Sequence, residues 1–126
     1  MNPLALVAVA VGGALGSLLR WCFSYAWNPI QPSLPLGTLA SNLVGGYFVG
    51  VAVAFFAANP AVSQEWRLFI ITGCMGGLTT FSSFSAEAVT MISSGNYGAA
   101  LLHTSLHLFG SFAMTALGIA SFRALA

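Results

Sequence analysis

Charge is what this chain lacks most. Of its 126 residues only 4% are charged, lysine is absent, and there are three arginines and two carboxylates. A soluble domain of this size carries about 25% charged residues, so no water-facing surface can be built from this supply. Cysteine is scarce as well: Cys22 and Cys74 form no CxxC pair, which implies neither a disulfide framework nor a thiolate metal site, and both read as small apolar fillers. There is no HExxH and no Gly-x-Ser-x-Gly, so the metalloprotease and serine-hydrolase signatures are missing and an enzyme is a poor reading. Charge runs and low-complexity tails, the usual means of holding nucleic acid, are missing too.

What is present is apolar. Hydrophobic residues make up 58% of the chain and its mean hydropathy is +0.91. A membrane span needs roughly 20 apolar residues, and four stretches approach that length: about 4–26, 37–58, 67–92 and 99–122. These predict an all-α integral membrane protein, one four-helix domain over 1–126 whose activity lies within the lipid bilayer or at its faces. Ala8-Val9-Ala10 resembles a signal-peptidase site, but no basic n-region precedes it and the apolar run continues to Arg20, so the first stretch reads as a span. Three prolines in Asn28-Pro29-Ile30-Gln31-Pro32-Ser33-Leu34-Pro35 end that helix, and Asn59-Pro60 and Ser93-Ser94-Gly95-Asn96 mark the later turns. Trp21, Tyr25, Trp27 and Trp66 sit near span ends, where amphipathic rings anchor at the headgroups.

With the spans numbered in order, Arg67 and Arg123 fall on one side of the membrane and Arg20 on the other. A bias of two against one is small for a rule that counts Lys and Arg near span ends, so both orientations are open to the chain. Dual topology would let two copies pair about a twofold axis in the membrane plane as an antiparallel homodimer. Gly12 and Gly16, Gly37, Ser41 and Gly45, and Gly46 and Gly50 form small-xxx-small faces that permit close helix packing, within or between subunits.

Polar residues inside the spans carry the functional signal. Residues 73–84, Gly-Cys-Met-Gly-Gly-Leu-Thr-Thr-Phe-Ser-Ser-Phe, put three glycines and four hydroxyls within an apolar stretch, and a broken third helix is expected there. Unwound backbone at bilayer depth is tolerated only where protein buries it or a polar cavity receives it, which points to ion handling. Asn42, well inside span two, reads equally as interhelical glue or as a pair of donors on a polar path. His103, His107, Ser111 and Thr115 recur every four residues on one face of span four. Two histidines at i, i+4 also fit a metal site, but no carboxylate near them in sequence supports it. Phe81 and Phe84 could turn electropositive ring edges toward an anion beside the hydroxyls of Thr79, Thr80, Ser82 and Ser83, whereas carbonyls freed by the glycines suit a cation. Arg20 reads as a snorkelling anchor or as an anion lure; Glu87, an ionisable group within the membrane, is protonated, paired or turned from the path.

These residues resemble the Fluc family of fluoride channels. The likeness is carried by Gly12 to Arg20 (Gly-Gly-Ala-Leu-Gly-Ser-Leu-Leu-Arg), Gly37 to Gly45 (Gly-Thr-Leu-Ala-Ser-Asn-Leu-Val-Gly) and, most specifically, Gly76 to Phe84 (Gly-Gly-Leu-Thr-Thr-Phe-Ser-Ser-Phe). The resemblance covers essentially the whole chain. It implies an antiparallel dual-topology dimer with two fluoride pores in a bacterial inner membrane, passively relieving cytoplasmic fluoride accumulation. By that likeness Asn42 is the pore amide, Phe81 and Phe84 form an aromatic box, and Ser111 with its span-four neighbours extends a polar track. It further implies one structural Na⁺ on the twofold axis, held by backbone carbonyls of Gly76 and Thr79 from both subunits, and no organic cofactor. The family motif often has Thr where this chain has Ser83, a change that retains the hydroxyl. A small dual-topology multidrug exporter shares the four-span plan but would be expected to carry a carboxylate in span one, and this span has none.

Overall fold

The computed structural model describes all residues, Met1–Ala126, and contains helices and turns alone. Helix α1 (Pro3–Trp27) begins where Asn2 accepts from the Leu4 N–H at 3.0 Å, with Pro3 at the first helical position, where its missing N–H costs nothing. A 3₁₀ turn at Asn28–Ile30 and the prolines beyond it lead to α2 (Leu36–Ala58). Pro35 cannot cap that helix with a side chain. Asn28 does so from the loop, accepting from the Thr38 N–H at 3.0 Å.

The third membrane segment is not uniform. A short helix α3 (Gln64–Arg67) passes into π-helical turns over Leu68–Met75, a winding rarely longer than one turn, and then into α4 (Gly76–Leu78). Thr79 is extended (φ −81°, ψ 155°), and helix resumes as α5 (Ser82–Ser93). Gly95, at φ 77°, makes the left-handed turn into α6 (Tyr97–Leu125), a conformation glycine adopts without steric cost. Four segments, Pro3–Ile30, Leu36–Ala58, Gln64–Ser93 and Tyr97–Leu125, are long and apolar enough to cross a membrane.

Only 19 of 126 residues are buried, while Leu4, Leu18, Val53, Phe109, Phe112 and Leu117 among many others lie exposed. That surface is suited to hydrocarbon. What holds the helices together is close backbone approach, because lipid supplies no hydrophobic drive between them. A side chain on Gly12 or Gly16 would strike the backbone of Phe69, Gly73, Cys74 or Leu78, so α1 packs through glycine against the third segment. Gly50 meets the backbone of Thr115 and Ile119, and Gly118 that of Tyr47 and Val51, which joins α2 to α6. These small-residue faces serve contacts within one chain.

The ends of the molecule can be assigned from contacts. Asn2 donates to Glu65 Oε1 at 2.6 Å, Arg67 lies over the Phe56 ring, and the Phe55 and Phe122 rings meet edge to face. The start of α1, the end of α2, the start of α3 and the end of α6 therefore share one end, with Arg67 and Arg123, and Arg20 lies toward the other.

Candidate ion-binding site

The site is built where the chain leaves helix at Thr79. In an uninterrupted helix the Thr80 N–H would donate to the Gly76 carbonyl and the Ser83 N–H to that of Thr79. Here the Thr80 N–H donates to Asn42 Oδ1 at 2.8 Å, and the Ser83 N–H donates to Thr80 Oγ1 at 3.0 Å. The carbonyls of Gly76 and Thr79 thus lose their helical donors. Thr79 adds nothing from its side chain, since its hydroxyl donates back to the Met75 carbonyl at 2.8 Å. Nearby, Arg20 Nε donates to the Gly77 carbonyl at 2.9 Å, which ties α1 to the segment before the interruption.

Asn42 holds the unwound strand. Besides accepting from Thr80, its amide donates to the Thr80 carbonyl at 3.0 Å and meets His107 Nδ1 at 2.8 Å. Because the pairing with Thr80 fixes which amide atom is nitrogen, the second N–H points at His107 Nδ1, which must accept it. Both Asn42 donors are therefore engaged. The ring proton of neutral His107 sits on Nε2, a buried donor with no partner.

A cavity of about 490 Å³ opens here, lined by Asn42, Thr79, Thr80, Phe81, Phe84, His107 and Ser111. Thr104, Leu108 and Phe112 complete it, and nothing in the sequence had singled them out. The Phe81 and Phe84 rings lie 5.5 Å apart at 66°, edge toward face. One face of Phe84 stacks on His103 at 5.3 Å and 25°, and its centroid lies 4.8 Å from that of His107, so the face is covered and the ring's edge is left for other neighbours.

The remaining expected residues lie around this cavity and not in its lining. Ser82 Oγ is 3.3 Å from Thr80 Oγ1, and Ser83 engages Thr80 through its backbone, so the hydroxyl cluster chiefly shapes the turn. Thr115 donates to the Gly46 carbonyl at 3.0 Å, a bond between α2 and α6. Glu87 opens on a second cavity, of about 330 Å³, with Pro32, Ser33, Ser94 and Asn96. Its Oε2 accepts from the Thr38 hydroxyl at 2.7 Å, and its Oε1 lies 3.5 Å from His103 Nε2. The carboxylate missing from the neighbourhood of the histidines in sequence is thus supplied in space by α5. Thr38, whose hydroxyl also receives the Asn28 amide at 3.3 Å, was not anticipated, although it stands one helical turn before Asn42.

The family model for "CrcB-like protein, Camphor Resistance (CrcB)" matches residues 7–119. The chain belongs to that family. Among its relatives, the Fluoride-specific ion channel FluC of Cupriavidus metallidurans is 57% identical over 126 residues, covering 100% of both chains. The protein of the same name from Ralstonia nicotianae is 51% identical over 125 residues, 99% of each chain. That of Burkholderia cenocepacia is 53% identical over 120 residues, 95% of this chain and 94% of its own. The resemblance drawn from the three glycine-rich motifs is borne out, and a multi-pass membrane protein is what the family and the four apolar helices give together.

Proposed function

We propose that this chain is a fluoride-selective passive channel of the bacterial inner membrane, working as an antiparallel dual-topology dimer with two pores per dimer. The observation that carries the reading is the cavity beside Thr79–Phe81. There an amide locked to unwound backbone, two phenylalanine rings set edge to face, the Ser111 hydroxyl and the unpartnered His107 Nε2–H come together. An apolar ring edge and a buried donor suit a small, partly dehydrated anion, since the edge is electropositive and excludes water. Full-length relatives named as fluoride-specific channels support the choice of anion.

A structural Na⁺ fits the same segment. Gly76 and Thr79 each present a carbonyl whose helical donor has gone elsewhere, and a side chain on Gly76 would meet nothing nearer than the Ile71 carbonyl at 3.6 Å, so the approach is open. Oxygen-only donors of this kind suit a hard monovalent ion. Bound between two inverted copies, such an ion would neutralise converging carbonyl dipoles. Asn42 keeps the carbonyls turned out of the helix by holding Thr80, and Arg20 steadies Gly77 between them.

The test is ion efflux from liposomes that contain the purified protein. Fluoride release on dissipating the membrane potential, without chloride release, is the expected result. Equal release of both anions, or proton-coupled movement of an organic cation with no fluoride flux, overturns the assignment.

A further inference from the structure

Between the two cavities stands a side-chain cluster of which the proposed anion path touches only His107. Glu87 opens on the smaller cavity and His107 on the larger, while His103 between them has no exposed surface. One ligand-type atom from each of the three lies within 4.8 Å of the other two. Buried polar atoms nearly always have partners. Here Glu87 Oε1 and His107 Nε2 have no hydrogen bond, and His103 Nε2, 3.5 Å from Glu87 Oε1, has only a long 3.4 Å contact with the Phe84 carbonyl, which a metal ion would displace.

We propose that Glu87, His103 and His107 form a binding site for a transition-metal dication of the zinc class, with water from the smaller cavity in the remaining position. Two imidazoles and a carboxylate with one open place are a donor set zinc uses, whereas calcium and magnesium demand more oxygens than this cluster offers. The dimensions agree. Ligands about 2.0–2.1 Å from a tetrahedral zinc stand about 3.4 Å from one another, and the Glu87–His103 edge is already 3.5 Å. Closing a separation of 4.8 Å, the outer bound of the cluster, to about 3.4 Å needs a shift of about 1.4 Å. The Thr38 hydroxyl on Glu87 Oε2 orients the carboxylate and leaves Oε1 for the ion, the outer support a metal ligand usually has.

Occupancy would be felt at Asn42. Coordination through His107 Nε2 moves the ring proton to Nδ1, where it confronts the Asn42 N–H and breaks the 2.8 Å contact. The amide that holds Thr80 is then loosened. If the cavity is the fluoride path, as proposed above, the cation is an inhibitor; the binding site itself does not rest on that reading.

His103 and His107 are the only histidines in the chain, so protein freed of any affinity tag has no other imidazole to bind metal. Equilibrium dialysis of that protein against Zn²⁺ is expected to give one ion per chain, and Co²⁺ substitution the intense visible bands of a tetrahedral centre. Glu87→Gln and His103→Gln, checked for unchanged elution on gel filtration, should each weaken Zn²⁺ binding at least about tenfold. Wild-type protein that takes up no Zn²⁺, or binding unaltered in both variants, overturns the proposal. Where a variant fails to fold, the wild-type Co²⁺ spectrum decides: weak octahedral bands or none refute the site. Liposome efflux with and without Zn²⁺ keeps the two readings apart, because Zn²⁺ binding without any fluoride flux would sink the channel and leave the metal site standing.

Discussion

Asn42 was visible in the sequence as a polar residue out of place, and its chemistry decides more than its position suggested. It binds both backbone groups of Thr80 and one nitrogen of His107, which makes it interhelical glue that also lines the cavity, while the other reading, donors on a polar path, is left to the efflux test. Asn42→Asp puts an oxygen where the N–H groups face the Thr80 carbonyl and His107 Nδ1. Each acceptor left facing another costs about 1–3 kcal/mol, and about 1.4 kcal/mol is a factor of ten. Fluoride efflux should fall at least about tenfold while gel filtration still shows an assembled protein; efflux at the wild-type rate would refute the role of the amide. Phe81→Ile and Phe84→Ile keep an apolar side chain and remove the electropositive edge, so both should slow efflux. Unchanged flux in both variants would return these rings to packing. By contrast, the grouping of Thr38, Glu87 and His103 was not legible, because it draws on α2, α5 and α6, and helical periodicity relates only residues on one helix.

At the scale of elements, apolar length and proline placement were enough to give four helices and the turns between them. Sequence reasoning went less far inside the third. The glycines and hydroxyls marked where helix would weaken, but the π-helical winding over Leu68–Met75, the segment against which α1 packs its glycine face, has no comparable signal. The same close approach makes a stability prediction. A methyl group on Gly50 would collide with the Thr115 carbonyl carbon at 3.0 Å and the Ile119 nitrogen at 3.1 Å, backbone atoms that cannot step aside alone. Gly50→Ala should therefore destabilise the α2–α6 pair by about 1–3 kcal/mol. Gly98→Ala meets nothing within 4 Å in the first turn of α6, and should be neutral or stabilising by up to about 1 kcal/mol. Thermal unfolding in detergent ranks the two; equal midpoints would show that glycine contacts do not hold these helices together.

At the scale of the whole molecule, two features acquire a use only if a second copy lies inverted against the first. Arg67 and Arg123 stand at one end and Arg20 toward the other, a difference of one arginine that leaves little charge bias to fix an orientation. Meanwhile Gly76 and Thr79 have carbonyls stripped of their helical donors, and at bilayer depth such groups need partners. The proposed inverted pairing would bring the four carbonyls of two chains toward one axis, where a sodium ion would satisfy them. A single cysteine placed at Ala126, in a chain with Cys22 and Cys74 replaced by serine, should label from both faces of the membrane in comparable amounts. The same protein should unfold at a lower temperature when Na⁺ is exchanged for a bulky organic cation, because an ion bound only to the folded dimer stabilises it by RT ln(1 + [Na⁺]/Kd). Labelling from one face alone refutes the inverted pair, and with it the shared site. Labelling from both faces with no dependence on Na⁺ keeps the pair and removes the ion.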